Sequence, residues 1–212
     1  MFSYPMRQWE GFELGFYFFA AIFVFMGHFI RALTVGKRYK HSSGRNRSHH
    51  FAEKLNVTGW YSVTRNPLYF ANFLIWLGLS LVTIHSGVIV LTCIFFWLIY
   101  RPIIMSEESY LTTKFGPEYE EWATKTPVFF PKWRHYNKNP LPLSFKTILK
   151  NEYPGICATL SCLFILILTK EIQGSNGYFY CTWHLVFLIF IFFFAGTMKF
   201  LKHKTHYFKS ED

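Results

Sequence analysis

Residues 66–108 read NPLYFANFLIWLGLSLVTIHSGVIVLTCIFFWLIYRPIIMSEE, and this stretch decides the fold. Two apolar runs, 68–83 and 88–105, the second interrupted only by Arg101, are separated by the turn Thr83-Ile84-His85-Ser86-Gly87. Apolar runs of this kind are membrane spans. So short a connection folds them into an antiparallel hairpin. The open ends of the hairpin, Asn66 on one side and Glu107 and Glu108 on the other, must then lie side by side. Three further runs, 15–33, 154–169 and 181–201, bring the expected number of spans to five. The predicted fold is all-α: a polytopic membrane protein of about five transmembrane helices, with a helical hairpin and a cytosolic interfacial helix.

The composition agrees. The 212-residue chain is 51% hydrophobic and 22% aromatic. Its charged share of 16% is below the roughly 25% of soluble domains. This excludes disorder, collagen-like repeats and coiled coils. A net charge of +10 raises the question of nucleic acid, but 20 of the 22 Lys and Arg fall in 31–66, 101–150 and the C-terminal tail. With five spans, these segments share one membrane face. The positive-inside rule then predicts a multi-pass protein of the bacterial inner membrane or endoplasmic reticulum, N-terminus out and C-terminus cytosolic. Anionic headgroups account for the charge, and no nucleic-acid partner is expected.

Other features are expected to carry no chemistry. Cys93, Cys157, Cys162 and Cys181 lie in or beside apolar runs without C-x-x-C spacing, and read as packing residues, with no metal site. The segment before the first span, with Glu10 and Glu13 and no A-x-A site, reads as uncleaved. The basic run 41–50, with adjacent His49 and His50, reads as a loop on anionic lipid. His28, His85 and His184 are isolated and receive no role.

At the hairpin mouth, Asn66 is a suitable N-cap and Pro67 a suitable first helical residue. With Arg65 the helix start forms a site for a carboxylate or phosphate; alternatively Arg65 anchors the helix to lipid phosphate. Glu107 and Glu108 bring cation-binding groups to the same mouth, or cap a surface helix. A zwitterionic or sulfonium-bearing ligand fits such a pairing. A helix should follow to Phe115, halt at Gly116 and restart at Pro117. Its Leu111, Phe115, Tyr119 and Trp122 form an amphipathic stripe that roofs the hairpin. Residues 126–133, rich in Pro and aromatics, read as an interfacial segment. On the second span Tyr69, Asn72, Trp76 and Thr83 recur near helical spacing and suggest a channel, although Asn72 suits an interhelical hydrogen bond equally.

Taken in order, T-G-W-Y-x-x-x-R-N-P-L-Y, about forty hairpin residues, and E-E-x-x-L-x-x-x-F-G-x-x-Y-x-x-W-x-x-x-x-P resemble the isoprenylcysteine carboxyl methyltransferase superfamily, integral-membrane enzymes that use S-adenosylmethionine. The resemblance covers roughly 55–131. It implies a membrane methyltransferase core over 1–135, with motifs at 55–131, followed over 136–212 by a linker, two additional spans and a basic tail. It implies cofactor binding by Tyr61, Arg65, Asn66, Pro67, Leu68, Tyr69 and Glu107. Arg101 and Glu108 become the candidate catalytic residues, with Arg101 recruiting the acceptor at the lipid-facing edge. Two positions depart from the pattern. The family often has R-H-P where Arg65-Asn66-Pro67 stands, and Asn cannot titrate. Ile103 and Ile104 occupy the neighbourhood where prenylcysteine enzymes carry an additional Arg.

The implied activity is S-adenosylmethionine-dependent O-methylation, at the cytosolic face, of an acidic lipid or lipid-linked acceptor such as a lipid phosphate or prenylcysteine carboxylate. An ionised acceptor oxygen needs alignment and exclusion of water more than a strong base. The alternatives are an NADPH-dependent enzyme like the membrane sterol reductases and a non-enzymatic membrane scaffold.

Overall fold

The computed structural model describes residues 10–37, 54–174 and 182–204. The run 41–50, the first nine residues and Cys181 lie outside them. The described residues form six α-helices: α1 (Glu10–Gly36), α2 (Pro67–Leu81), α3 (Ser86–Phe115), α4 (Pro117–Lys125), α5 (Phe145–Gly174) and α6 (Thr182–Lys204). Single 3₁₀ turns occupy Gly59–Ser62 and Trp133–His135. Helices α1, α3, α5 and α6 are long and apolar enough to cross a membrane. Helix α2 is equally apolar but spans only 15 residues, about 22 Å at 1.5 Å per residue. The second predicted span is thus a short helix.

Helix α2 is held chiefly by α1. A Cβ added at Gly27 would meet the Ile75 side chain at 2.5 Å and the Ala71 carbonyl at 2.7 Å. One added at Gly78 would meet the Ala20 carbonyl at 2.8 Å. Backbones this close are the packing that small residues permit in lipid, where dispersion and not the hydrophobic effect drives association. Ala71 and Ile30 are fully buried between the two helices.

The predicted turn between α2 and α3 is present, and it places Ile84 at φ +53°. A β-branched residue in the left-handed region is strained. Helix α3 extends well beyond the apolar run 88–105, continuing through Pro102 to Phe115. Glu107 and Glu108 therefore ride on the spanning helix itself. The predicted halt is real: Gly116, at φ +50°, separates α3 from α4.

Residues 126–133 do not simply lie in the interface. Phe129 is 5% exposed and packs with Phe96 and Ile104 of α3 and with Phe73 of α2. The carbonyls beside it clamp the segment preceding α2. Pro127 O accepts from Arg65 N at 2.8 Å, Phe129 O from Thr64 Oγ1 at 2.8 Å, and Val63 O from Lys132 N at 2.9 Å.

Beyond residue 136 the chain returns to the core. Asn137 O accepts from Gly59 N at 2.8 Å, and Asn139 Nδ2 donates to Lys37 O at 2.7 Å. Helix α5 packs on α1 and carries Glu152, whose carboxylate takes Nε–H and Nη2–H of Arg31 at 2.5 and 2.9 Å. Both side chains are almost wholly buried, at 6% and 3%. Arg31 is therefore an internal cation, not one of the membrane-surface charges among which its position in the sequence had placed it. Helix α6 lies against α5, and His184 Nε2 is 2.9 Å from Glu171 Oε2. Cys93, Cys157 and Cys162 are free thiols, and no metal-binding cluster exists among the described residues.

Candidate functional site

The hairpin mouth is a pocket. Tyr61, Arg65 and Asn66 come from the clamped segment before α2, Glu107, Glu108 and Leu111 from the end of α3, and Tyr119 and Trp122 from α4. Lys54, Leu55 and Asn56 complete the wall. The free volume is only about 30 Å³, whereas the empty space including the mouth is about 440 Å³. The pocket is therefore formed but narrow, and its roof is α4, which starts directly after Gly116.

Two polar pairs organise it. Arg65 Nε stands 3.3 Å from Glu108 Oε1. Tyr69 donates its hydroxyl proton to Glu107 Oε2 at 2.8 Å. Asn66 precedes α2 at the capping position but makes no side-chain cap. Its Nδ2 donates instead to Val128 O at 2.9 Å, which corrects the expectation of a capping Asn. Pro67 is the first residue of the helix, as expected.

Four buried polar atoms around this pocket have no hydrogen-bond partner among the described residues: Arg65 Nε, Glu108 Oε1, Tyr119 Oη and Trp122 Nε1. Arg65 and Glu108 attract one another without a directed hydrogen bond. Buried polar atoms are normally paired; of these four, Arg65 Nε and Glu108 Oε1 have only each other's charge, 3.3 Å away. All four belong to residues that line this one pocket. Burial, and then the Glu108 carboxylate, raises the pKa of Tyr119, with Arg65 opposing. Its hydroxyl stays protonated through the neutral range and is available as a donor.

Of the residues singled out from sequence, Tyr61, Arg65, Asn66, Glu107 and Glu108 meet at this pocket. Pro67 and Leu68 do not line it; Pro67 is buried behind it. Tyr69 reaches it only through Glu107, its ring lying 5.3 Å from that of Tyr100. Arg101 is exposed on α3 and outside the pocket wall. Tyr119 and Trp122, which read as a packing stripe, supply two of the four orphan atoms. Lys54 and Asn56 had no motif to mark them.

The fold defines an integral-membrane helical protein with a narrow polar pocket at the open end of a short hairpin. The chain belongs to the phospholipid methyltransferase family, whose family model matches residues 12–118, and to the isoprenylcysteine carboxyl methyltransferase superfamily that its motifs resemble. It is 36% identical over 101 residues to the nickel-cobalt-cadmium resistance protein NccN of Alcaligenes xylosoxydans xylosoxydans, covering 47% of this chain and 45% of that one. It is 39% identical over 82 residues to the cobalt-zinc-cadmium resistance protein CzcN of Cupriavidus metallidurans, covering 39% and 38%. It is 30% identical over 115 residues to the protein-S-isoprenylcysteine O-methyltransferase of Schizosaccharomyces pombe, covering 51% and 47%. The chain thus spans about half or less of the length of these curated relatives. No solved structure matches it.

Proposed function

We propose that this pocket binds S-adenosylmethionine and that the protein methylates an oxygen of an acidic lipid or lipid-linked acceptor at the cytosolic face. The convergence of four buried polar atoms without directed partners on a pocket lined by two cations, Lys54 and Arg65, and two carboxylates, Glu107 and Glu108, carries the reading. In this reading Arg65 takes the carboxylate of the amino-acid end, and Glu108 takes its ammonium. Glu107, held by Tyr69, takes ribose hydroxyls. Tyr61 and Trp122 supply aromatic faces, and the Trp122 Nε1–H and the Tyr119 hydroxyl donate to remaining acceptors. The roof formed by α4 swings about Gly116 to widen the pocket and closes again to keep water out. When bound, the cofactor supplies an electrophilic methyl carbon, whose bonding pair returns to sulfur as an anionic acceptor oxygen bonds to it. Among the described residues that line the pocket no group is suited to act as a strong base, and an ionised acceptor needs none. With Lys and Arg at this end of the hairpin, the pocket faces the cytosol.

The test is thermal stabilisation of the detergent-purified protein by S-adenosylhomocysteine, with NADPH in parallel, followed by transfer of labelled methyl to extracted membrane lipid. A bound ligand raises apparent stability by mass action. Stabilisation by S-adenosylhomocysteine that Glu107→Gln and Trp122→Phe weaken is the expected result. Stabilisation by NADPH alone, or by neither from folded protein, overturns the reading.

A further inference from the structure

A second cavity, of about 510 Å³, lies between α1, α2, α3 and α5, well within the membrane-spanning part of the bundle. It runs beside α3 from Tyr100 to Val88, about 18 Å of helix. That is slightly more than half of a roughly 30 Å hydrocarbon core, the depth of one lipid leaflet. Its walls are largely apolar, with Ile75, Trp76, Leu79 and Leu166 among them. One wall is α5, which lies outside the residues that the family model matches.

The end nearest the hairpin mouth is polar. Arg31 Nη1 donates to Asn72 Oδ1 at 2.6 Å, and Asn72 Nδ2 donates to the Tyr100 hydroxyl at 3.1 Å. With Nε and Nη2 on Glu152, these bonds use three of the five N–H groups of a guanidinium. Tyr100 accepts from Asn72, and its own proton has no acceptor among the described residues. His28 Nδ1, on the same cavity, also lacks a partner. The unspent groups of Arg31 and Tyr100 are donors, so the head that completes them presents acceptor oxygens. Tyr100 in turn packs on Tyr69, which holds Glu107 of the first pocket.

We propose that this cavity binds a single-chain acidic amphiphile, its hydrocarbon chain along α5 and its carboxylate or phosphate oxygens at Arg31 and Tyr100. Taking that amphiphile as the methyl acceptor rests on the function proposed above; its binding does not. Helix α5 then selects the chain, and Arg31, Asn72 and Tyr100 set the depth of the head.

Gly155 on α5 gives a direct test, because a Cβ placed there meets nothing within 4 Å and a larger side chain grows into the cavity. The probe is dibromostearic acid, whose bromines quench tryptophan on contact. The reporter is Trp76, its share obtained as the difference from Trp76→Phe. Saturable quenching is expected for wild type and for Gly155→Ala, and loss of the saturable part for Gly155→Phe. The methyl ester of the same acid should bind at least tenfold more weakly, and a dibrominated lysophosphatidate distinguishes a phosphate-selective from a carboxylate-selective head site. Thr92→Phe, from the opposite wall, is the second blocking variant should Gly155→Phe not fold. Quenching that never saturates, or that is equal in the blocked variants, overturns the proposal. Stabilisation by S-adenosylhomocysteine is measured on the same proteins: its absence alongside saturable quenching would remove the methyltransferase reading and leave the amphiphile site standing.

Discussion

Replacing Glu152 by Leu should be among the most damaging single changes to this protein. The carboxylate takes two hydrogen bonds from Arg31, at 2.5 and 2.9 Å, and the two side chains are only 3% and 6% exposed. Removing it leaves a guanidinium buried in the bundle with Asn72 as its remaining partner. Breaking a buried pair from one side costs about 3–5 kcal/mol, mostly from the uncompensated charge. The double variant Arg31→Met, Glu152→Leu removes both charges. It should recover most of that loss, because well-packed apolar replacements of buried pairs are commonly neutral or stabilising. The measurement is the equilibrium unfolding free energy in mixed micelles for both singles and the double. A Glu152→Leu loss under about 1 kcal/mol, the level of an exposed pair, would refute the placement of α5 against α1. So would a double variant no better than the sum of its singles.

The remaining expectations are more local. Gly78→Leu should lower stability by at least the 1–3 kcal/mol of an overpacked core, because its Cβ alone would come within 2.8 Å of the Ala20 backbone; unfolding in micelles checks this. Ile84→Gly should raise stability by about 1 kcal/mol, by relieving a left-handed β-branched residue, and a higher unfolding midpoint is the readout. Asn72→Leu should impair methyl transfer far more than stabilisation by S-adenosylhomocysteine, since it disconnects Arg31 from Tyr100 without touching the first pocket; equal loss of both would contradict this division.

The hairpin was legible because its signals are local: two apolar runs, one turn, and Pro67 and Gly116 as punctuation. The convergence of Arg65 with Glu107 and Glu108 followed from antiparallel geometry alone. What escaped the sequence is tertiary. Arg31 reads as a loop cation because it ends an apolar run, and only a partner 121 positions away makes it internal. Phe129 sits in a Pro-rich aromatic segment with no periodicity, so nothing marked it as the wedge between α2 and α3. Asn66 has every attribute of a cap, yet its Nδ2 donates to the Val128 carbonyl and its side chain makes no cap bond to the start of α2. Tyr119 and Trp122 have the spacing of a packing stripe. That they carry unsatisfied polar atoms depends on what α4 covers.

The pairing of Arg65 with Glu108 separates a ligand site from a structural contact. The two side chains keep 17% and 24% of their surface exposed and meet at 3.3 Å without a directed hydrogen bond, so the pair opens more readily than the directed, almost wholly buried pair of Arg31 and Glu152. A zwitterionic ligand exchanges it for two pairs, its anion on Arg65 and its cation on Glu108, and no charge is left alone. Reversing the pair with Arg65→Glu, Glu108→Arg restores attraction between α3 and the segment before α2 but aims each charge at the wrong end of the ligand. Each single change should abolish stabilisation by S-adenosylhomocysteine, and the reversed pair should regain the unfolding midpoint of the unliganded protein without regaining that stabilisation. Recovery of both would make Arg65 and Glu108 a structural clasp and move the cofactor elsewhere.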